Sequence, residues 1–183
     1  MRLRSVEVDG KLALKIDPPK EANLEGGQVP LRFELKLPKA EGAGYVRGLD
    51  WAADNQSLIV DRVDKDTKRR QIFFVHNVGS KAEQTILVTE ETDPKWIAQL
   101  SAIVEPNPKD AAQLFFGSEK DGFNHLYLAT LERAAKPAPA GEPRQENPSD
   151  AGFTSKVEIK QLTSGNYEVS WAKWAADGEQ IVF

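Results

Sequence analysis

The residues of this 183-residue chain that could carry out chemistry are Ser118, Asp121 and His125, which lie close together in sequence. Hydrolysis by a serine nucleophile requires a serine, a basic histidine and an orienting carboxylate in hydrogen-bond reach. A hairpin at this point would place Ser118 opposite Asn124 or His125. The segment has neither a strained elbow nor recognisable oxyanion donors, so we predict no catalytic residue. Instead, Asp121 should shape the turn and His125 should bond to backbone or to a neighbouring carboxylate.

An independent hydrolase that uses Ser118 and His125 is the alternative hypothesis. It requires the chain to be active by itself and to lose that activity when His125 is replaced by alanine. The sequence carries no Gly-x-Ser-x-Gly pentapeptide, which is the usual nucleophile elbow of α/β-hydrolases.

The chain offers few ligands for a metal ion. It has no cysteine and only two histidines, His76 and His125, which fall in different predicted sheets. Carboxylates at Asp54, Asp121 and Asp177 stand at predicted turns, where they accept backbone N–H groups. We therefore predict neither a metal site nor a cofactor site.

The composition excludes some classes of partner. The formal net charge is −4, whereas a nucleic-acid-binding surface needs clustered basic residues. The one basic run, residues 65–70, is flanked by acids and is predicted to be a solvated turn. No apolar stretch approaches the ~20 residues that span a bilayer, so we predict no membrane contact.

Alternation of apolar and polar residues predicts an almost entirely β chain. A hairpin is predicted from residues 3–8 and 12–16 around Asp9-Gly10, followed by a loop at 20–28 and a half-buried strand at 31–37. The further predicted strands are 46–52, 57–63, 71–77, 84–89, 98–104, 112–118, 124–131, 157–162 and 168–174.

An internal repeat organises these strands. Residues 51–60, WAADNQSLIV, align without gaps to residues 174–183, WAADGEQIVF. Each copy contains a tight turn, Asp54-Asn55 or Asp177-Gly178, followed by an apolar strand. Successive four-stranded units of this kind are typical of a β-propeller.

We therefore predict a single partial β-propeller segment over residues 1–183, with about three blades of four-stranded antiparallel sheet. The blade-like units are 45–92, 95–162 and 167–183, and a flexible proline-rich insertion is expected at 133–155. No role is predicted for residues 1–28. Three blades cannot close a ring, so we expect a piece of a larger protein whose open edges allow a homodimer.

The four tryptophans, Trp51, Trp96, Trp171 and Trp174, are predicted to pack between blades. The alternative is that an exposed tryptophan stacks against a carbohydrate or a peptide.

The chain resembles the propeller domain of the dipeptidyl peptidase IV family, within the prolyl oligopeptidase group of serine peptidases. The resemblance covers about residues 29–183, and its most specific part is the hairpin at 118–128. The strings that carry it are YVRGLDW at 45–51, DRVDKDTKRR at 61–70, ETDPKWI at 91–97, SEKDGFNHLYL at 118–128 and QLTSGNYEV at 161–169.

The resemblance implies a non-catalytic segment, because the family's Ser-Asp-His triad lies in a separate hydrolase domain. That domain is the expected partner, in the same polypeptide, and peptides are the expected substrates, with the propeller gating and selecting them. The resemblance favours a periplasmic or extracellular parent. The pair Glu90-Glu91 stands in a different context from the family's substrate-binding glutamates, so that role is not transferred. A free-standing propeller that binds or scaffolds other proteins is the alternative function.

Overall fold

The computed structural model describes residues 2–8, 11–17, 32–35, 37–38, 44–97, 103–134 and 152–183. Its regular structure is entirely β, in four antiparallel sheets that follow one another along the chain.

The first sheet contains β1 (Arg2–Val8), β2 (Lys11–Asp17) and β3 (Arg32–Glu34), in that order. The predicted N-terminal hairpin is confirmed, with Val8 opposite Lys11. The prediction of a strand over 31–37 is wrong in length. The strand ends at Glu34, and Leu35 is buried instead in an apolar cluster with Leu58 and Phe73. The predicted turn at 9–10 and loop at 20–28 lie outside the described residues.

The second sheet, here called blade one, is a complete four-stranded meander. Its strands lie in chain order, and all four were predicted to within a few residues. They are β4 (Gly44–Trp51), β5 (Leu58–Asp64), β6 (Arg69–His76) and β7 (Gln84–Thr92).

The third sheet, blade two, repeats this arrangement. Its strands are β8 (Val104–Pro106), β9 (Gln113–Ser118), β10 (His125–Arg133) and β11 (Phe153–Gln161).

Two strand predictions in blade two need correction. Strand β8 begins at Val104, where the predicted strand was to end, and residues 98–102 lie outside the described part. Strand β11 begins at Phe153, four residues before the predicted start, because Phe153 is buried against the rings of Phe74 and His76. Residues 135–151 of the predicted insertion are not described, so its flexibility stays a prediction.

The fourth sheet contains only β12 (Lys173–Trp174) and β13 (Ile181–Val182). The prediction of a strand over 168–174 is wrong for 168–172. This segment is bonded to the start of β10 instead, where the Val169 N–H donates to the Asn124 carbonyl over 2.8 Å.

The two copies of the sequence repeat form the same type of turn in the structure. The Ala52 N–H donates to the Ser57 carbonyl over 2.9 Å, and the Ala175 N–H donates to the Gln180 carbonyl over 2.8 Å. Asn55 and Gly178 hold the matching left-handed position, with φ of 54° and 75°. Asparagine and glycine tolerate this conformation better than other residues do.

The blades pack face to face, because neighbouring side chains of a strand point to opposite faces. Phe74 lies in the core between blades one and two, whereas Phe73 packs on the other face of blade one with Leu35. On the far face of blade two, Phe115 and Leu126 pack with residues around β12 and β13. Sheets stacked in series in this way confirm the predicted all-β partial propeller.

The tryptophan prediction is only half right. Trp51 and Trp174 are partly buried in the clusters on the outer faces of the two blades. Trp96 and Trp171 are 68% and 51% exposed. They lie in connecting segments rather than in sheets, and Ala172 takes the buried position beside Trp171.

Candidate functional site

The three residues first singled out lie at one hairpin but do not form a triad. His125 stands opposite Ser118 in the β9–β10 ladder, and both are buried. The imidazole instead contacts Thr163 Oγ1 through Nδ1 at 3.1 Å and the Gly165 carbonyl through Nε2 at 3.0 Å. The Ser118 hydroxyl accepts the Lys120 N–H over 3.3 Å.

These bonds determine which nitrogen of His125 carries the proton. A carbonyl only accepts, so Nε2–H donates to Gly165. Thr163 Oγ1 accepts the Leu126 N–H over 3.0 Å. The Thr163 hydroxyl proton is then directed to Nδ1 of His125, which accepts it. Both nitrogens are occupied, and neither is directed at Ser118. The predicted bond from His125 to backbone is therefore present, and it closes the connection between blade two and the next sheet.

Asn124 strengthens the same connection. Its side-chain amide donates to the Val169 carbonyl and its backbone N–H to Glu168 Oε2, each over 2.5 Å. A Cβ on Gly117 would lie 2.8 Å from Asn124 Oδ1, so a larger residue there would push the Asn124 amide away from its present position. Asp121 lies at the turn, where its Oδ2 accepts the Gln161 amide over 2.7 Å.

The basic run at 65–70 contains the largest departure from prediction. Lys65 and Lys68 are exposed at the turn, as predicted, but Arg70 has no exposed surface. Its Nε and Nη2 donate to Asp61 over 3.0 and 3.2 Å. Its Nη1 donates to the Gly117 carbonyl of blade two over 2.6 Å. Such bidentate pairing suits a buried arginine, since every polar hydrogen must find an acceptor.

Two more charged side chains complete this buried ion cluster. Arg47 donates from Nη2 to Asp61 over 3.1 Å, and burial lowers the pKa of Arg47 against the opposing effect of Asp61. Glu91 Oε2 lies 3.6 Å from Arg70 Nη1. The cluster thus joins all four strands of blade one to β9. Its sequence signal was weak, because Asp61 and Arg70 each stand next to other polar residues in strands that are only partly apolar.

The first strands of successive blades lie side by side. Strand β4 contacts β8, and Lys173 on β12 pairs with Glu105 on β8 over 2.9 Å. The Trp174 indole also donates to the Glu105 carbonyl. Desolvation and then the charge of Glu105 raise the pKa of Asp50 on β4. In a propeller the strands that converge in this way line the central channel.

Within the described residues, no three His, Cys, Asp or Glu side chains are grouped to hold a metal ion. No helix in the same part of the chain is long and apolar enough to cross a lipid bilayer.

Comparison with known families agrees with this architecture. The family model for the dipeptidyl peptidase IV (DPP IV) N-terminal region matches residues 22–183. The chain belongs to this family. The resemblance predicted from the sequence motifs is thereby confirmed. No curated protein matches the chain significantly.

A solved structure supports the fold of this DPP IV N-terminal region. A crystal structure from Bacteroides ovatus, assigned as a dipeptidyl aminopeptidase IV, matches with a TM-score of 0.55 and 21% identity. The match covers 88% of this chain and 20% of that one. The DPP IV N-terminal region described here therefore spans about a fifth of the length of its structural relative.

Proposed function

We propose that this DPP IV N-terminal region is a non-catalytic propeller segment of a serine-type dipeptidyl peptidase. In that role it restricts access to a distant active site and helps to select short, often proline-containing peptides. The catalytic domain, in the same polypeptide, is its main partner, and the parent acts in the periplasm or outside the cell. Membership of the family supports this proposal.

The observation that carries it is the convergence of β4, β8 and β12. Three consecutive first strands in contact provide one wall of a channel, and mixed charges at Asp50, Glu105 and Lys173 belong to that wall. A wall excludes long chains only while its blades stay together. The buried bond from Arg70 to Gly117 holds blades one and two at a fixed separation.

The test uses the full-length peptidase that carries this segment. Arg70→Met should loosen the wall and raise kcat/KM for a long polypeptide relative to an X-Pro anilide with the same first two residues. Lys156→Met is the control, because it breaks only the exposed pair with Glu132. If Arg70→Met keeps the fold and leaves the ratio of kcat/KM for the long polypeptide to kcat/KM for the anilide unchanged, the gating role is refuted.

A free-standing binding or scaffold propeller is the second candidate. The exposed side chains of Trp96 and Trp171 favour it, since exposed aromatics are frequent at protein interfaces. The gating role predicts no hydrolysis by this chain alone and a partner domain in the same polypeptide. The scaffold role predicts that the chain captures separate proteins.

We also propose that the chain forms a homodimer through its open strand edges. Light scattering of the purified chain tests this proposal, and a monomer would exclude it.

A further inference from the structure

The apolar face of blade one that points away from blade two is buried, although blade two does not cover it. The four side chains at its centre are at most 1% exposed, and they are Leu58, Val60, Phe73 and Val75. Of the described residues outside blade one, only Leu35 and Leu37 belong to the same cluster. Two leucines are too few to shield four side chains on two strands. A larger apolar surface must therefore lie on this face.

The chain that precedes blade one leads onto this face. Leu35 is 4% exposed and directly follows Glu34, the last residue of β3. The Pro38 carbonyl accepts a hydrogen bond from Nη1 of Arg62 over 2.7 Å, and the guanidinium of Arg62 lies 4.8 Å from the centroid of the Phe73 ring. The path of the chain thus brings the end of β3 next to the buried cluster.

The sheet of β1, β2 and β3 has one apolar face. Residues that pair across an antiparallel ladder lie on the same face of the sheet, and neighbours along a strand lie on opposite faces. Leu3 pairs with Ile16, and Leu14 pairs with Phe33. The apolar residues that share this face are Leu3, Leu12, Leu14, Ile16 and Phe33. An apolar sheet face of this size is buried against another element in a stable domain.

The opposite face of the same sheet is charged. Arg4 pairs with Lys15, and Lys15 pairs with Arg32. The other charged residues on this face are Arg2, Lys11, Asp17 and Glu34. A neighbouring blade would have to bury these charges against its own apolar side chains, which costs free energy. The sheet therefore has only one face on which a blade can pack.

Trp51 shows that its cover differs from an ordinary blade. Trp51 and Trp174 occupy the same position in the sequence repeat. The Trp174 indole donates to the Glu105 carbonyl on the first strand of blade two. The Trp51 indole nitrogen is buried in the same way but has no acceptor. What covers Trp51 thus lacks a first strand in the place that β8 holds in blade two, as expected of a three-stranded sheet.

We propose that the sheet of β1, β2 and β3 is an end cap of the propeller segment. Its apolar face packs on the outer face of blade one, and its charged face stays in contact with water. Terminal units with a polar outer face complete other repeat proteins in this way. The cap gives the N-terminal residues a role and prevents a further blade or a second copy from docking on this face. The proposal holds whether or not the segment gates a peptidase.

The test uses cysteine labelling in the 183-residue chain, which contains no natural cysteine. Val60→Cys places a thiol on the outer face of blade one, and Ile59→Cys places one in the core between blades one and two. Both should react with N-ethylmaleimide at least about a hundredfold more slowly than free cysteine. Adding Leu14→Asp, on the apolar face of the cap, should speed labelling of Val60→Cys about tenfold or more and leave Ile59→Cys unchanged. Adding Lys15→Asp, on the charged face, is the matched control and should change neither rate.

Fast labelling of Val60→Cys in the otherwise unaltered chain would overturn the proposal. So would equal acceleration by Leu14→Asp and Lys15→Asp, or an acceleration in Ile59→Cys as large as that in Val60→Cys. Labelling is repeated at two protein concentrations, because protection of Val60→Cys that is lost on dilution would assign the cover to a second copy. Leu14→Ala provides a milder variant if Leu14→Asp does not fold, and it should accelerate labelling of Val60→Cys alone.

Discussion

The guanidinium of Arg70 and the carbonyl of Gly117 are joined over 2.6 Å, although they are 47 positions apart and belong to different blades. The bond lies beside the pair of Arg70 with Asp61, so one buried side chain organises its own blade and contacts the next. Propeller blades usually pack through apolar faces. Here the buried Arg70 guanidinium, whose three nitrogens all donate hydrogen bonds, adds a polar contact between the blades.

Replacing Arg70 by methionine should lower the free energy of unfolding by about 3–5 kcal/mol. The substitution takes donors away from the buried Asp61 and the partly buried Glu91, and it removes the donor that bonds to the Gly117 carbonyl. Chemical denaturation of the chain measures the loss. The control, Lys156→Met, breaks an exposed pair and should leave the free energy of unfolding almost unchanged. Equal losses in the two variants would contradict the structural role of Arg70.

Stability should depend on pH through His76. Burial lowers the pKa of His76 below its ordinary value of 6.5, although Asp54 acts in the opposite direction and Arg133 adds to the lowering. The unfolded chain then binds more protons below about pH 6.5, so the free energy of unfolding falls as the pH falls through that value.

His76→Asn tests this dependence, because an amide can still donate to the Ser57 hydroxyl, which lies 2.8 Å from Nδ1. Denaturation of both proteins between pH 7 and pH 5 should show a smaller decrease in the variant. The same slope in both proteins would mean that His76 does not titrate differently on folding.

The isolated chain should release no product from an X-Pro nitroanilide. His125 has both nitrogens bonded to Thr163 and Gly165, so it is not available as a base. His125→Ala should instead lower stability by about 1–3 kcal/mol, because it leaves buried polar groups without partners. Asn166→Ala, in the exposed part of the same connection, serves as the control. Hydrolysis that His125→Ala abolishes would restore the independent hydrolase hypothesis.

The repeated turn provides a matched pair of substitutions. Gly178→Ala should destabilise the chain by about 1–2 kcal/mol, because φ is 75° and the new Cβ would clash with Asn107 Oδ1. Asn55→Gly keeps the left-handed conformation at the equivalent site and should change stability little. Thermal denaturation of both variants measures the difference. A neutral Gly178→Ala would show that the turn relaxes at no cost.

Local patterns predicted the strands well, because alternation along a half-buried strand reflects only which face is covered. All four strands of blade one were found, and the Asp54-Asn55 and Asp177-Gly178 turns share their hydrogen bonds. Arg70 could not be predicted as buried, because its acceptor on Gly117 comes from another blade. In the same way, the predicted strand at 168–172 is absent because Val169 bonds to Asn124 of blade two, a contact that local sequence does not reveal.

The tryptophans show a second limit of local patterns. All four are large and apolar, but burial depends on whether the backbone enters a sheet at that point. Trp174 does so and contacts Phe115, whereas Trp96 lies on a turn stabilised by Asp93. Exposure of this kind is visible only once the path of the chain is known.

The hairpin of β12 and β13 is attached to blade two by polar bonds as well as by apolar contacts. The Trp174 indole donates to the Glu105 carbonyl, and the Asn107 side-chain amide donates to the Gly178 carbonyl over 2.9 Å. Hydrogen bonds are directional, so these two bonds fix where the hairpin lies along β8 as well as how far it lies from blade two.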